Sequence, residues 1–565
     1  MPEIAKPKKK QWPREEVAEK MDAYAETYQQ TPSQRQVAEI LGVPRSTLQH
    51  WLERRDSIDA EPEVVAFFGS PVGVAFLHRL ILAAHFVITL MGPSGIRRVC
   101  LFLELTGLDR FVAASYGSQQ KVSVAMEEAV VAFDKEEKAR LATDMKAQQI
   151  TVCEDETFHP EVCLVAIEPV SNFILLEQYA DNRKAETWSQ AMEEATEGLA
   201  VEIVQSTSDE GKGLLCHVKE DLGTHHSPDV FRVQHELVKG TSGALAGKKR
   251  QAEKAMAKAA KQANHHQKKK EATLKKEEMS ECLPDLEEEI ERAQEQVREA
   301  QQALETAVAH QERASQAIRG ISEVYHPYDL ETGTPKSTEE VSAALEQHFA
   351  EIEAVAAEAH LSERCIKRIE KAKRVTVGMV ATVAFLLLTV RAKVEALSLA
   401  PEVEKAMHHH LIPAIYLHSV AEKTQDVEQR SVLQRKSEEL LAPLLSSDGP
   451  LAALVAEEKV VLETVAQECA QLFQRSSSCV EGRNGYLALY HHSLHRLGDR
   501  KLAVLTTVHN YFVKRQDGTT AAERFFGSKP RDLFGWVLDQ VDLPGYPARK
   551  RSRPKPKAFL VQAAA

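Results

Sequence analysis

The chain has 565 residues, 43% hydrophobic and 27% charged, and a net charge of −12. That is the composition of a soluble protein with several domains and a sizeable core. Its eight cysteines show no CxxC or zinc-finger spacing and no signal peptide precedes them, so reduced thiols in a cytosolic protein are expected.

The acidic total hides basic runs at Lys6 and Lys8–Lys10, at Lys248–Lys249–Arg250, at Lys268–Lys270 and at Arg549–Arg551. Such runs suit phosphate contacts, although solvated tails read the same way. Two apolar stretches, 71–92 and Val375–Val390, are read as buried helices rather than membrane spans. His78, Arg79 and His85 interrupt the first, and the second falls short of the roughly 20 residues a span needs.

In chain order, residues 1–60 form the first unit. Ser33 can cap a helix whose Val37, Ile40 and Leu41 face inward, Gly42 supplies the turn, and Arg45 or Ser46 opens a second helix anchored by Leu48, Trp51 and Leu52. This pattern resembles the helix-turn-helix of DNA-binding proteins, which would turn Arg45, Ser46, Thr47, Gln49 and His50 toward the major groove. A helical hairpin that merely packs is the alternative. Residues 61–145 read as all-helical, and a helix–glycine–helix pattern at 96–120 suits either a second DNA-binding unit or a packed core.

From about residue 146 to 247 the hydrophobic period shortens to that of strands. Ile150–Glu154, Val162–Glu168 and Phe173–Tyr179 read as a three-strand meander. Asn182–Gly198 reads as an amphipathic helix, Ala200–Gln205 as a fourth strand ending near Asp209, and Asp229–Val233 as a fifth. Glu154, Asp155 and Glu156 stand together on the first strand, where adjacent carboxylates repel. Strand alternation puts Asp155 on the face opposite the other two.

Residues 248–470 read as a helical block. Leu286, Ile290, Ala293, Val297, Ala300, Leu304, Ala307, Gln311, Ala314, Ile318 and Ile321 recur in 4-3 steps, and so many small residues favour a close antiparallel pair near 284–322 over a long dimeric zipper. His408–His410 are adjacent rather than i, i+4 spaced, which rejects a zinc site. Residues 471–545 carry a helix with Glu481 near its start and Arg483 and Asn484 behind it, then the segment Asp517–Arg524. Residues 546–565 read as a basic, disordered tail.

Together these residues resemble a DDE-type insertion-sequence transposase of the retroviral-integrase superfamily. The matching positions are Asp155 at the end of the first strand, Asp209 just after the fourth and Glu481 on a late helix. The resemblance implies a ribonuclease-H-like mixed sheet with flanking helices, interrupted by a helical insertion, in an α-rich α+β multidomain chain. It further implies two Mg²⁺ (or Mn²⁺) ions held by Asp155, Asp209 and Glu481, which suits in-line displacement at a phosphodiester. Asp229, His235, Arg483 and Asn484 are accessory candidates. The expected partner is double-stranded DNA, both element ends and target, bound by a homodimer or larger assembly. Lys248, Lys249 and Arg250 are further DNA contacts, no membrane partner is expected, and the nucleoid is the expected place of work. A non-catalytic DNA-binding scaffold and a nuclease without strand transfer are the alternatives.

Overall fold

The computed structural model describes residues 12–158, 161–274, 283–494 and 497–548. The chain is α-rich and carries one five-stranded mixed sheet. Strands β1 (Gln148–Phe158), β2 (Val162–Glu168) and β3 (Phe173–Ala180) form an antiparallel meander. After the helix Ala185–Thr196, β4 (Val201–Ser208) returns parallel to the free side of β1, and β5 (His225–Pro228) adds parallel to β4. The order is therefore β3-β2-β1-β4-β5.

Two sequence expectations are corrected here. Asp155 lies within β1, opposite Val165 of β2, rather than at the strand's end. Asp229–Val233 is not the fifth strand, which is His225–Pro228; it begins the 45-residue helix Val230–Leu274. Asp229 accounts for the difference, because its Oδ1 accepts the Phe231 backbone N–H at 2.8 Å, the way a capping residue satisfies an orphan donor. Beyond it Val230, Val233, Leu237 and Leu245 are buried at helical spacing, while Phe231 and Val238 are exposed.

The two faces of the sheet are covered by different parts of the chain. On one, Leu164, Ala166 and Leu176 pack against Trp188 and Met192 of the helix Ala185–Thr196 and against Leu214. On the other, Cys153, Cys163, Val165 and Ile167 pack against Val480, Leu487 and Tyr490 of the helix Ser478–Leu494. A fully buried leucine such as Leu487 stabilises this docking by about 2–5 kcal/mol relative to alanine. That burial brings a helix from late in the chain onto the face that carries Asp155.

At the N-terminal end, helices Arg14–Gln30, Gln34–Ile40 and Arg45–Asp56 enclose Tyr24, Val37, Ala38, Val43, Leu48 and Leu52. Gly42 turns the chain between the last two helices at φ +63°, a conformation natural to glycine. Ile40, expected inside, is 63% exposed because the short helix buries Val37 and Ala38 instead. Trp51 is half-buried and meets Trp12 edge-on at 5.7 Å. In residues 96–120, Val99, Leu103, Leu108, Phe111 and Val112 share a core with Val74, Leu77 and Ile81, so that pattern packs.

The helix Val230–Leu274 and the helix Leu283–Val324 form an antiparallel hairpin. Gln234 Nε2 donates to the Ile318 carbonyl at 3.0 Å near the base, and Lys270 reaches Glu287 at 2.7 Å near the tip. The heptad seam is buried at Leu286, Ile290 and Ala293 and again at Ala314, Ile318 and Ile321, and half-buried from Val297 to Gln311. Below the hairpin, helices Thr338–Glu358, Thr376–Glu395, Ile412–Lys423 and Ala456–Leu472 build the largest hydrophobic core. Pro71–Met91 and Glu363–Glu395 are long and apolar enough to cross a bilayer. In the second of these Met379, Val383, Leu386, Val390 and Val394 are buried in that core.

Candidate functional site

The three acids singled out in the sequence arrive at one place from β1, the end of β4 and the first turn of the helix Ser478–Leu494. Between two of them, Asp155 and Glu481, stands a residue that the sequence reading missed, Arg232. Its Nη2 donates to both oxygens of Asp155, at 3.2 and 3.1 Å, and lies 3.4 Å from Glu481 Oε1. Burial opposes the charge on Arg232, but Asp155, Asp209, Glu481 and Asp229 outweigh it and hold the guanidinium above its ordinary value.

Asp155 is 4% exposed, and its Oδ1 also accepts the Glu156 N–H at 2.9 Å. Burial lifts its carboxyl to about 6 against the opposing pull of Arg232, and the Asp209 and Glu481 charges push it the same way as burial. A carboxylate so placed stays charged only with a cation beside it. Glu154 and Glu156 point to the opposite face, as alternation requires. Glu154 accepts the Ser206 hydroxyl and lies 3.5 Å from His217 Nε2, while Glu156 pairs with Arg183 at 2.9 Å.

Asp209 is half-buried just past β4, and its Oδ1 accepts the Gly211 N–H at 3.1 Å. Gly213, two residues on, lies so close to the Arg183 carbonyl that an added Cβ would stand 2.2 Å from its oxygen. Glu481 is the most solvated of the three, its side chain 40% exposed. A cavity of about 300 Å³ opens beside the cluster, lined by Asp209, Asp229, Arg232, His235, Lys239 and Lys371.

The accessory candidates divide. Asp229 is 2% exposed and ties elements together: it caps the long helix, and its Oδ2 accepts the Ser477 hydroxyl. His235 lines the cavity one helical turn after Arg232 and stacks on Phe231 at 5.8 Å. Arg483 turns away from the acids and grips Glu177 of β3 with two bonds of 2.8 and 2.6 Å. Asn484 Oδ1 is buried with no hydrogen-bond partner among the described residues.

Of the DNA-contact candidates, Arg45, Ser46, Gln49 and His50 are exposed on the helix Arg45–Asp56 and Thr47 is half-buried. Lys248 and Lys249 are half-buried and Arg250 exposed on the long helix, roughly 24 Å along it from Arg232 at 1.5 Å per residue. The basic runs at 6–10 and 549–551, and the expected disordered tail beyond 548, lie outside the described residues.

The donor chemistry of Asp155, Asp209 and Glu481 suits a hard cation such as Mg²⁺ or Mn²⁺, which takes carboxylate oxygens and water. Among the described residues no three His, Cys, Asp or Glu side chains stand close enough together to hold an ion as they are. The Arg232 guanidinium lies between Asp155 and Glu481 and supplies positive charge to both.

A model for a family of unknown function (DUF6399) matches residues 407–553, a stretch that contains the Glu481 helix and the Asp517–Arg524 segment but none of the sheet. No curated protein and no solved structure matches the chain.

Proposed function

We propose that this chain is a DNA transposase that cuts and joins DNA ends by phosphodiester hydrolysis and strand transfer. One observation carries the reading: Asp155 and Glu481, far apart in sequence, share the single cation Arg232, and the charge of Asp209 also acts on it from the wall of the adjoining cavity. The sheet order, with an antiparallel β1–β3 meander and β4 and β5 parallel to β1, supports a ribonuclease-H-like core. The exposed Arg45, Ser46, Gln49 and His50 support a helix-turn-helix that holds double-stranded DNA.

Two Mg²⁺ held by Asp155, Asp209 and Glu481 would polarise the phosphate and supply a nucleophilic oxygen near neutral pH. Arg232, released from Asp155, can pair with a phosphate oxygen instead, as a planar guanidinium does well. Lys239 and Lys371 add positive charge along the adjoining cavity, where a strand's backbone would run. Because cutting and joining couples two ends, a homodimer or larger assembly on DNA belongs to the proposal.

The test is cleavage of a labelled element-end duplex by purified protein with Mg²⁺, comparing wild type with Asp155→Asn, Asp209→Asn and Glu481→Gln. Each substitution should lower the rate about 100-fold or more, the order expected when a group that stabilises the transition state is removed. Undiminished cleavage in all three would overturn the site. Cut but never joined products would identify a nuclease. The Arg232–Asp155 pair favours one second reading, a DNA-binding scaffold whose acids are neutralised internally; wild-type protein that binds the duplex and never cuts it would select that one.

A further inference from the structure

A second, larger cavity of about 690 Å³ lies on the other side of the start of the long helix. It shares two walls with the acid cluster: Val230 and Phe231 directly precede Arg232, and Ser476 and Ser478 shortly precede Glu481. The Val230 N–H bonds the Arg475 carbonyl at 2.9 Å and the Ser477 hydroxyl bonds Asp229, so these walls are fastened to each other.

The lining is cationic. Lys423, Arg475 and Arg515 face a single acid, Glu422, and among the described residues none of the three basic groups is within salt-bridge distance of a carboxylate. Arg475 Nη1 donates to the Ser322 carbonyl and hydroxyl at 2.6 and 3.0 Å, and Arg515 Nη1 donates to the Val170 carbonyl at 3.0 Å. Both guanidiniums thus keep donors free, and Lys423 has no hydrogen bond among the described residues. The charges of Arg475 and Arg515 disfavour the Lys423 ammonium. Like charges crowded in a cleft mark a place for an anion.

The space is far larger than an inorganic phosphate requires and falls within the range of small-molecule sites. On its wall Phe231 is 47% exposed, and the His235 ring stacks on it at 5.8 Å. A flat ring beside free cations is how proteins hold a nucleotide without reading its sequence: the base stacks and the phosphate pairs. Duplex DNA is too wide for such a cleft, whereas a nucleotide turned out of its stack can enter.

We infer that this cavity binds a nucleotide of a single strand, its phosphate on Lys423, Arg475 and Arg515 and its base against Phe231. The inference rests on the reading that the adjacent acids act on a nucleic-acid strand, and it adds where an unpaired nucleotide next to the reacting phosphate is held.

The experiment uses full-length protein and a fluorescein-labelled oligothymidylate, with anisotropy read at several salt concentrations. Wild type is compared with Lys423→Gln, Arg515→Gln, the double variant and Phe231→Leu. Both basic side chains are exposed, and thermal melting checks that the fold is retained. The double variant should bind at least about tenfold more weakly, with a salt slope shallower by about 1.4, from about 0.7 per lost phosphate contact on a single strand. Phe231→Leu should weaken binding about fivefold or more through lost stacking. Competition by free dTMP assigns the site to a lone nucleotide as well as to a strand, and its failure to compete assigns the site to a strand; both uphold the inference. Wild type that ignores the oligonucleotide, or a double variant that binds as wild type does, overturns it. Either result would leave duplex binding and Asp155-dependent cleavage standing, so the two proposals fail separately.

Discussion

Arg232 and Asp155 are bound through one nitrogen, Nη2, shared between both carboxylate oxygens at 3.2 and 3.1 Å. A bidentate pair would use two nitrogens, so this contact leaves donors of the guanidinium uncommitted and exchanges more readily. Arg232→Ala should therefore lower the melting temperature in chelator, since a mostly buried carboxylate loses its cation, at a cost of about 1–3 kcal/mol. Mg²⁺ should restore it, by about 2.7 kcal/mol at 100 times the dissociation constant. Calorimetry with and without Mg²⁺ measures this, and recovery that persists in Arg232→Ala/Asp155→Asn would show that the ion binds elsewhere.

The Arg483–Glu177 pair is the opposite case: two prongs, side chains 2% and 0% exposed, linking the late helix to β3. Glu177→Ala should destabilise by about 3–5 kcal/mol because it strands a buried guanidinium, whereas the double change to methionine should cost far less. Chemical denaturation of the two variants distinguishes a structural pair from a phosphate-binding arginine, since only the latter would spare stability.

His509 carries a pH dependence. It packs just before β3, where its Nε2–H donates to the Asn172 carbonyl at 2.8 Å; burial first and the Arg483 charge next lower it to about 4, against the opposing pull of that hydrogen bond and of Glu177. The unfolded chain takes up this proton near 6.5 and the folded chain only near 4, so the unfolded state binds more protons between those values. Stability should fall as pH drops from 6.5 to 4, and His509→Gln should remove part of that slope in urea titrations.

The N-terminal unit makes a separable prediction. Arg45→Ala should weaken duplex binding with no change in melting temperature, and lower the salt slope by about 0.9 if Arg45 meets one phosphate. Gly42→Ala should instead cost about 1 kcal/mol or more, since its φ of +63° is strained for any residue with a Cβ. Filter binding at several salt concentrations, beside melting curves, tells the two effects apart.

What the sequence disclosed follows from how local each signal is. The strands β1 to β4 and the small-residue heptads of the hairpin announce themselves by period, and the structure has strands and a helical hairpin there. Asp155, Asp209 and Glu481 were legible as acids, but their meeting depends on Val480, Leu487 and Tyr490 docking onto the sheet, which no window of sequence contains. Arg232 was hidden for a different reason. The run Asp-Val-Phe-Arg-Val alternates like a strand, and only Asp229 as a cap, with Leu237 and Leu245 beyond it, makes it a helix. Arg483 misled through proximity, because three residues after Val480 places it over β3 rather than beside Glu481.

The 45-residue helix that begins at Val230 puts Arg232 at the root of a lever whose far end, near Leu274, is about 63 Å away at 1.5 Å per residue. Tilting such a rod sweeps its tip widely and its root hardly at all. A partner that only bent the hairpin would therefore leave Arg232 seated on Asp155. Turning the rod about its own axis, or unwinding its first turn, swings the guanidinium away. A rod anchored this way would pass torque to its root and filter out sway.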